Sequence, residues 1–193
     1  MNKIKYGCKN AYYSVISKDD TTGAEKYATP IKLPGAKSIS LSPTGDDTEE
    51  YADDNIWYSA TSNTGYDGTV ELMGLPDSFL TDVLGQTKDA TSGALIEKSS
   101  DKHSEFALLF ETSFEGDEKL TSKRALMYRC TIARPDEGGS TKEKAISAAT
   151  DSLKIKCLPR ESDCAVKASV VNTDTAFSTW FDKVFEVAKT TGE

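Results

Sequence analysis

The chain has 193 residues, which suits a single domain spanning 1–193, and its 37% hydrophobic and 28% charged residues are typical of a folded protein. Its 31 acidic and 23 basic residues give a net charge of −8, which argues against a phosphate-binding surface, since nucleic-acid binders usually carry a basic patch. No apolar run is long enough for a transmembrane helix, and the opening MNKIKYGCKNAYY lacks the apolar core of a signal peptide, so we expect neither membrane insertion nor secretion by that route.

Segments of alternating apolar and polar residues, separated by turn residues, run through most of the chain. This period of two predicts β-strands with one buried and one polar face, as found in antiparallel sandwiches and barrels. The segments are 10–17, 37–42, 68–75, 105–113, 124–133, 152–158 and 165–171. In 124–133 the alternation places four residues on one face: Leu126, Tyr128, Cys130 and Ile132.

The stretch between the second and third predicted strands, 44–64, is predicted to be a long loop with little secondary structure. Loops of this length are uncommon in compact domains unless they are functional or disordered. It begins acidic, with Glu49, Glu50, Asp53 and Asp54, and continues with Trp57 and Tyr58.

Two segments depart from the period of two. In 75–86, Pro76 stands at the start, apolar residues follow with helical spacing, and Gly85 comes at the end, which predicts a short α-helix. The C-terminal segment 174–193 is rich in large apolar residues and fits either an amphipathic helix or a strand. Such residues must be covered, so 172–193 is either docked on the chain's own core or an arm laid on a neighbouring subunit.

The sequence offers little for catalysis or for metal binding. The single histidine, His103, lies in a polar segment, and Asp53, Asp54 and Asn55 are consecutive and so lack the alternating spacing of an EF-hand loop. Nucleophile-elbow, phosphate-loop and dinucleotide-binding motifs are absent from the sequence. We therefore expect a protein that is not an enzyme and binds no cofactor, and we expect its four cysteines to be reduced, buried thiols.

The order and spacing of several motifs resemble the phi13-type major tail proteins of siphophages. The first part of the chain matches at Gly7, Asn10, Tyr12, Tyr13, Lys18, Asp19, Tyr27, Pro30, Leu33, Gly35 and Ala36. The resemblance continues through YADD (51–54), VELMGLP (70–76), FALLFET (106–112) and STWFDKVFE (178–186). It is weaker in 87–104 and 135–150.

The resemblance implies a tail tube subunit with a β-sandwich fold and one flanking helix. Six such subunits form a ring, the rings stack into a hollow tube, and DNA passes through an acidic lumen without specific binding. The long loop and the terminal arm join neighbouring rings. The expected partners are other copies of the chain, the tape measure protein and the tail tip and terminator proteins. The expected location is the virion tail, assembled in the bacterial cytoplasm without a membrane.

Under this interpretation three groups of residues have assembly roles. Glu49, Glu50, Asp53, Asp54, Trp57 and Tyr58 make contacts between rings. Ser38, Ser40, Ser42, Thr69 and Glu71 face the lumen. Phe177, Trp180, Phe181 and Phe185 supply the contacts of the C-terminal arm. Two alternatives stay open: a monomeric β-sandwich that binds or adheres through an aromatic platform at Trp57 and Tyr58, and a related virion tail component of the same fold.

Overall fold

A computed structural model describes residues 4–115, 120–138 and 150–186. Within these ranges the strands are β1 Ile4–Lys18, β2 Glu25–Tyr27, β3 Ile31–Leu33, β4 Ala36–Thr44, β5 Asp47–Ala52, β6 Asn55–Thr61, β7 Gly65–Leu72, β8 Thr87–Lys88, β9 Leu95–Ile96, β10 Phe106–Glu115, β11 Leu120–Ile132, β12 Asp151–Leu158 and β13 Lys167–Val171. The helical elements are α1, Asp77–Asp82, and a 3₁₀ helix, Thr175–Phe177.

Most of the strands belong to one antiparallel sheet. Its path is β2-β1-β10-β11-β12-β7-β4, with β3 added to β1 and β13 added to β11. Strands β1, β10 and β11 pack against β12, β7 and β4 over a shared core, and α1 closes one side of it. The prediction of a mainly β, antiparallel sandwich with one short flanking helix is confirmed.

The shared core forms where the strand faces meet α1. Phe79 of α1 packs edge-to-face on both Tyr13 of β1 and Phe106 of β10, with ring centroids 5.0 and 5.5 Å apart. The Tyr13 hydroxyl donates a hydrogen bond of 2.9 Å to Asp82. Burial is the main reason why the pKa of Tyr13 is raised to about 12. The aromatic contacts and this hydrogen bond fix α1 against the sandwich.

Strand β10 is buried on both faces. Phe106 and Leu108 belong to the shared core, whereas Ala107 and Leu109 belong to a second apolar cluster. The second cluster also contains Trp180 and other residues of the C-terminal segment, which covers the outer face of β10 and β11. The segment is therefore a third layer of the domain.

A bulge in β11 overturns one prediction about its faces. Phe106 pairs with Cys130 but Leu108 pairs with Met127, so one extra residue of β11 is inserted between these pairs. The bulge exchanges the faces on either side of it. Met127 therefore lies with Cys130 in the shared core, while Tyr128 points into the second cluster, and the predicted common face of Leu126, Tyr128, Cys130 and Ile132 is wrong.

The helix is shorter than predicted. It covers Asp77–Asp82 within the predicted segment 75–86, with Pro76 at its N-cap rather than inside its start, and Gly85 beyond its end has a φ of 76°. The positive φ ends the helix in the manner expected of a C-terminal glycine. Phe79, Val83 and Leu84 are buried, as the helical spacing predicted.

The thiols are only partly as predicted. Cys130 and Cys157 are buried, Cys8 is half-buried and Cys164 is exposed, and no disulfide joins them within the described residues. Cys164 stands in a loop with a φ of 58°, away from the strand pattern that buries Cys130 and Cys157.

Candidate functional site

Residues 44–64 form a β-hairpin, and the prediction that they lack regular structure is wrong. β5 and β6 pair with each other, from Asp47 opposite Thr61 to Ala52 opposite Asn55, as a separate two-stranded sheet. Asp53 and Asp54 make the turn with φ values of 50° and 59°. Positive φ at both central residues belongs to a type I′ turn, which matches the twist of the flanking strands and which aspartate tolerates.

The hairpin presents large apolar side chains to solvent. The structure describes nine exposed large hydrophobic residues, and four of them lie here: Tyr51, Ile56, Trp57 and Tyr58. Trp57 is the most exposed of the nine, at 77%. Exposed aromatic clusters of this kind mark interaction surfaces more often than isolated apolar residues do.

Most of the chain's net negative charge comes from the same hairpin. Glu49, Glu50, Asp53 and Asp54 are all exposed, as are Asp46 and Asp47. The stretch 44–64 contains six of the 31 acidic residues and none of the 23 basic residues, so the remainder of the chain has a net charge of only −2. The Tyr51 hydroxyl donates a 2.7 Å hydrogen bond to Glu49, and this bond raises the pKa of Tyr51.

The residues predicted to face a lumen lie together on β4 and β7. Ser38 pairs with Glu71, and Ser40 pairs with Thr69. On the other side of β7, Lys154 of β12 is opposite Thr69. These side chains therefore form one polar surface across three strands, with Ser42 at its end.

This polar surface has no surplus of negative charge. Asp67 and Glu71 of β7 supply two negative charges, while Lys37 of β4 and Lys154 and Lys156 of β12 supply three positive charges. Lys156 lies 4.0 Å from Asp67, and Lys37 lies 3.6 Å from Glu71. An acidic lumen, which the resemblance implies, does not follow from the charges on this surface.

The four aromatic residues of the predicted C-terminal arm lie against the chain's own sheet. Trp180 is 3% exposed, Phe181 stacks on Tyr12 with 4.6 Å between ring centroids, and Phe185 stacks on Trp180 at 5.3 Å. Phe177 is half-buried in the same cluster. Of the two alternatives for this segment, the described part, up to residue 186, adopts docking on its own core; 187–193 lies outside the described residues.

The segment is neither the amphipathic helix nor the strand predicted. It is a 3₁₀ turn followed by further turns, in which Phe177 donates to Asp174 at 3.1 Å and Trp180 donates to Phe177 at 3.4 Å. Aromatic residues lose side-chain freedom in an α-helix, and tight i to i+3 turns allow several of them to face the sheet in succession.

A buried ionic cluster, which the sequence analysis missed, fixes this segment. Glu111 of β10 is 3% exposed and accepts hydrogen bonds from Arg124 at 3.0 Å and Asn10 at 3.2 Å. Arg124 also donates to the carbonyl of Phe177 and lies 3.8 Å from the Phe177 ring centroid. Burial alone would raise the pKa of Glu111, but these hydrogen bonds outweigh it and lower the pKa. An acidic residue in the apolar run FALLFET was the available signal for it.

The described residues contain no cluster of histidine, cysteine and acidic side chains that could hold a metal ion. His103 is exposed, and its ring nitrogen Nδ1 lies 3.3 Å from the carbonyl oxygen of Ile132. None of the helices in the described ranges is long and apolar enough to span a bilayer.

No protein-family model matches the chain, and no curated protein is significantly similar to it.

Proposed function

We propose that the chain is a structural subunit of a siphophage tail tube, which assembles with copies of itself into stacked, six-membered rings. The observation that carries the proposal is the β5–β6 hairpin. It is acidic and aromatic, it is exposed on a folded sandwich, and it is paired only with itself. Aromatic side chains exposed in this way are the usual anchors of protein interfaces.

The polar surface of β4, β7 and β12 supports a role in lining a water-filled channel. Serine, threonine and paired charges are compatible with water and offer no continuous basic track to DNA. This surface has no surplus of negative charge of its own, and most of the chain's surplus lies in the hairpin, which the proposal assigns to contacts between rings.

Closure of the sheet across subunits is the second physical argument. β4 is an end strand of the sheet path and runs for nine residues. A strand of this length that pairs on one side only exposes an edge that is open to aggregation, and joining this edge to a neighbour around a ring removes it. The proposed partners beyond the chain itself are the tape measure, terminator and tail tip proteins of the virion.

The test is the assembly state of the purified chain. Light scattering after size exclusion, together with negative-stain microscopy, should show rings or hollow tubes as the concentration rises. A chain that remains monomeric at millimolar concentration contradicts the proposal.

The second candidate is a monomeric binding module with Trp57 and Tyr58 as an aromatic platform. It is favoured by the 77% and 57% exposure of these side chains. It predicts a stable monomer whose tryptophan fluorescence shifts when a glycan or protein ligand is added, whereas the tube subunit predicts self-association without a ligand.

A further inference from the structure

An apolar groove lies between β4 at one end of the sheet path and the facing strands β10 and β11. Ile39 and Leu41 of β4 form one wall, Phe110 and Phe114 of β10 form the other, and Lys123 and Lys167 stand at its rim. Its volume is about 170 Å³. Pockets for small-molecule ligands are usually about 300–1,000 Å³, so the groove suits one or two side chains better than a separate ligand.

The groove is the incompletely covered part of the sandwich. Ile39, Leu41 and Phe110 are only half-buried, although they pack against a core whose other members are almost wholly inaccessible. No acidic residue lines the groove within the described ranges, and neither rim lysine forms an ion pair with a described residue. Lys167 donates a 3.0 Å hydrogen bond to the Tyr66 hydroxyl, which holds one positive charge at the rim. The groove therefore offers an apolar floor below two positive charges.

The hairpin has the complementary properties. It carries six carboxylates, no basic residue and four exposed apolar side chains, and none of its residues lines the groove of its own chain. An isolated two-stranded hairpin is marginally stable in water, so its exposed apolar side chains gain from a partner surface. Its base joins β4 and β7 just beyond Leu41 and Tyr66, which leaves the hairpin strands outside the groove.

We propose that the groove receives the hairpin tip of a second copy of this chain, with Trp57 or a neighbouring apolar side chain in the groove and the hairpin carboxylates against Lys123 and Lys167. The inference rests on the proposed function and names the receiving site for its assembly arm. Hairpin and groove are different surfaces, so a hairpin that enters the groove of the next copy, without reciprocal exchange between the same two copies, makes a heterologous contact. Contacts of this type propagate into rings or filaments.

The first experiment uses full-length groove variants. The double variant Lys123→Glu/Lys167→Glu reverses the charge of the groove rim. The double variant Lys98→Glu/Lys102→Glu is the matched control, because it makes the same charge change at exposed positions outside the groove. We expect the rim reversal to raise the concentration needed for assembly at least 10-fold and the control to leave it near the wild-type value. Circular dichroism and thermal unfolding of the monomers check the fold, and Lys123→Gln with Lys167→Gln repeats the test if the reversal does not fold.

The second experiment is complementation. Trp57→Ala with Tyr58→Ala removes the anchors but keeps the groove, and truncating anchors of this kind typically weakens binding by about 30-fold or more. Labelled rim-reversed protein, which keeps an intact hairpin, should bind the hairpin variant, which keeps an intact groove, about as tightly as wild-type chains bind each other, and the pair should stop at a dimer. Adding Glu49→Lys and Glu50→Lys to the rim-reversed chain should restore assembly by exchanging the charges.

The outcomes separate the two proposals. Wild-type tubes that are unaffected by rim reversal, or a charge exchange that restores nothing, overturn the docking inference and leave the tube function standing. A wild-type chain that never assembles overturns both. Loss of assembly in the rim variant alone, with recovery on charge exchange, establishes the groove as the receiving site.

Discussion

At the scale of single residues, Arg124 is the side chain that unites the layers of the domain. It pairs with buried Glu111 on β10, donates to the carbonyl of Phe177, and lies 3.8 and 4.5 Å from the rings of Phe177 and Phe181. Arginine suits this position because its planar group can donate hydrogen bonds at its edge and stack on aromatic rings with its face. The C-terminal segment is thus fixed by charge as well as by apolar burial.

Replacing Arg124 tests this role. Arg124→Met should lower the free energy of unfolding by about 3 kcal/mol, because buried Glu111 loses its closest cation and keeps the half-exposed Lys9 as its remaining described ion-pair partner. Lys9→Met is the control: Lys9 also contacts Glu111, at 3.3 Å, but its side chain is 51% exposed, so the cost should stay below about 1 kcal/mol. Urea unfolding measures both. Equal losses in the two variants contradict the role of Arg124.

The lowered pKa of Glu111 predicts a pH dependence. A carboxyl group whose pKa is lower in the folded state stabilises the fold above its unfolded pKa, and that contribution is lost as pH falls through the folded value. The stability of the wild-type chain should therefore fall more steeply on acidification than that of Glu111→Gln, and the two curves should converge at low pH. Denaturation measured from neutral pH down to about pH 2 tests this; parallel curves exclude Glu111 as a source of the acid sensitivity.

At the scale of elements, the presence of the alternating strands could be predicted from the sequence more reliably than the side of the sheet on which each side chain lies. All seven predicted strands are present, because alternation reports directly on burial at one face of a sheet. Alternation cannot locate a bulge, however, and the extra residue of β11 moved Tyr128 to the second cluster. It also failed at β10, where Ala107 and Leu109 are buried by a segment far away in sequence.

The hairpin was missed for a related reason. Both of its faces are exposed, so the sequence has no buried side from which to recognise the strands. Its turn uses Asp53 and Asp54 rather than the asparagine–glycine pair that usually signals a type I′ turn. The groove could not be predicted at all, since it depends on how far apart β4 and β10 are held.

Two glycines offer a matched test of how the hairpin is anchored. A Cβ atom at Gly68 of β7 would lie 1.9 Å from the carbonyl oxygen of Ser40 on β4, whereas one at Gly74 would meet nothing within 4 Å. Gly68→Ala should therefore cost about 2–3 kcal/mol of stability and loosen β4, while Gly74→Ala should be close to neutral. Thermal unfolding and amide exchange of β4 provide the measurements. A stable Gly68→Ala variant with protected β4 amides contradicts the close packing of these strands.

At the scale of the whole molecule, apolar surface and charge are divided between two regions. The sandwich with its C-terminal layer buries most of its large apolar residues and is close to neutral, while the hairpin exposes four of them and carries six acidic residues. No residue of the hairpin belongs to either described apolar cluster, so the domain has no need of the hairpin for folding. Its exposed aromatic residues are therefore available for contacts with other molecules, as the proposed assembly requires.

The C-terminal layer gives the prediction that distinguishes folding from assembly. Ending the chain after Thr173 removes Trp180 and Val184, which are buried at 3% and 6% exposure, and uncovers the outer face of β10 and β11. We expect this truncated chain to be insoluble or unfolded, because the second cluster loses its cover and Arg124 loses the Phe177 contacts that hold it beside Glu111. Ending the chain after Glu186 is the control, since it keeps every described contact of the segment, and that variant should unfold at the wild-type temperature.

Trp57→Ala should behave in the opposite way to the first truncation, with a wild-type unfolding temperature and impaired assembly. A soluble, folded chain ending at Thr173 that fails only in assembly would instead assign the segment to contacts between subunits.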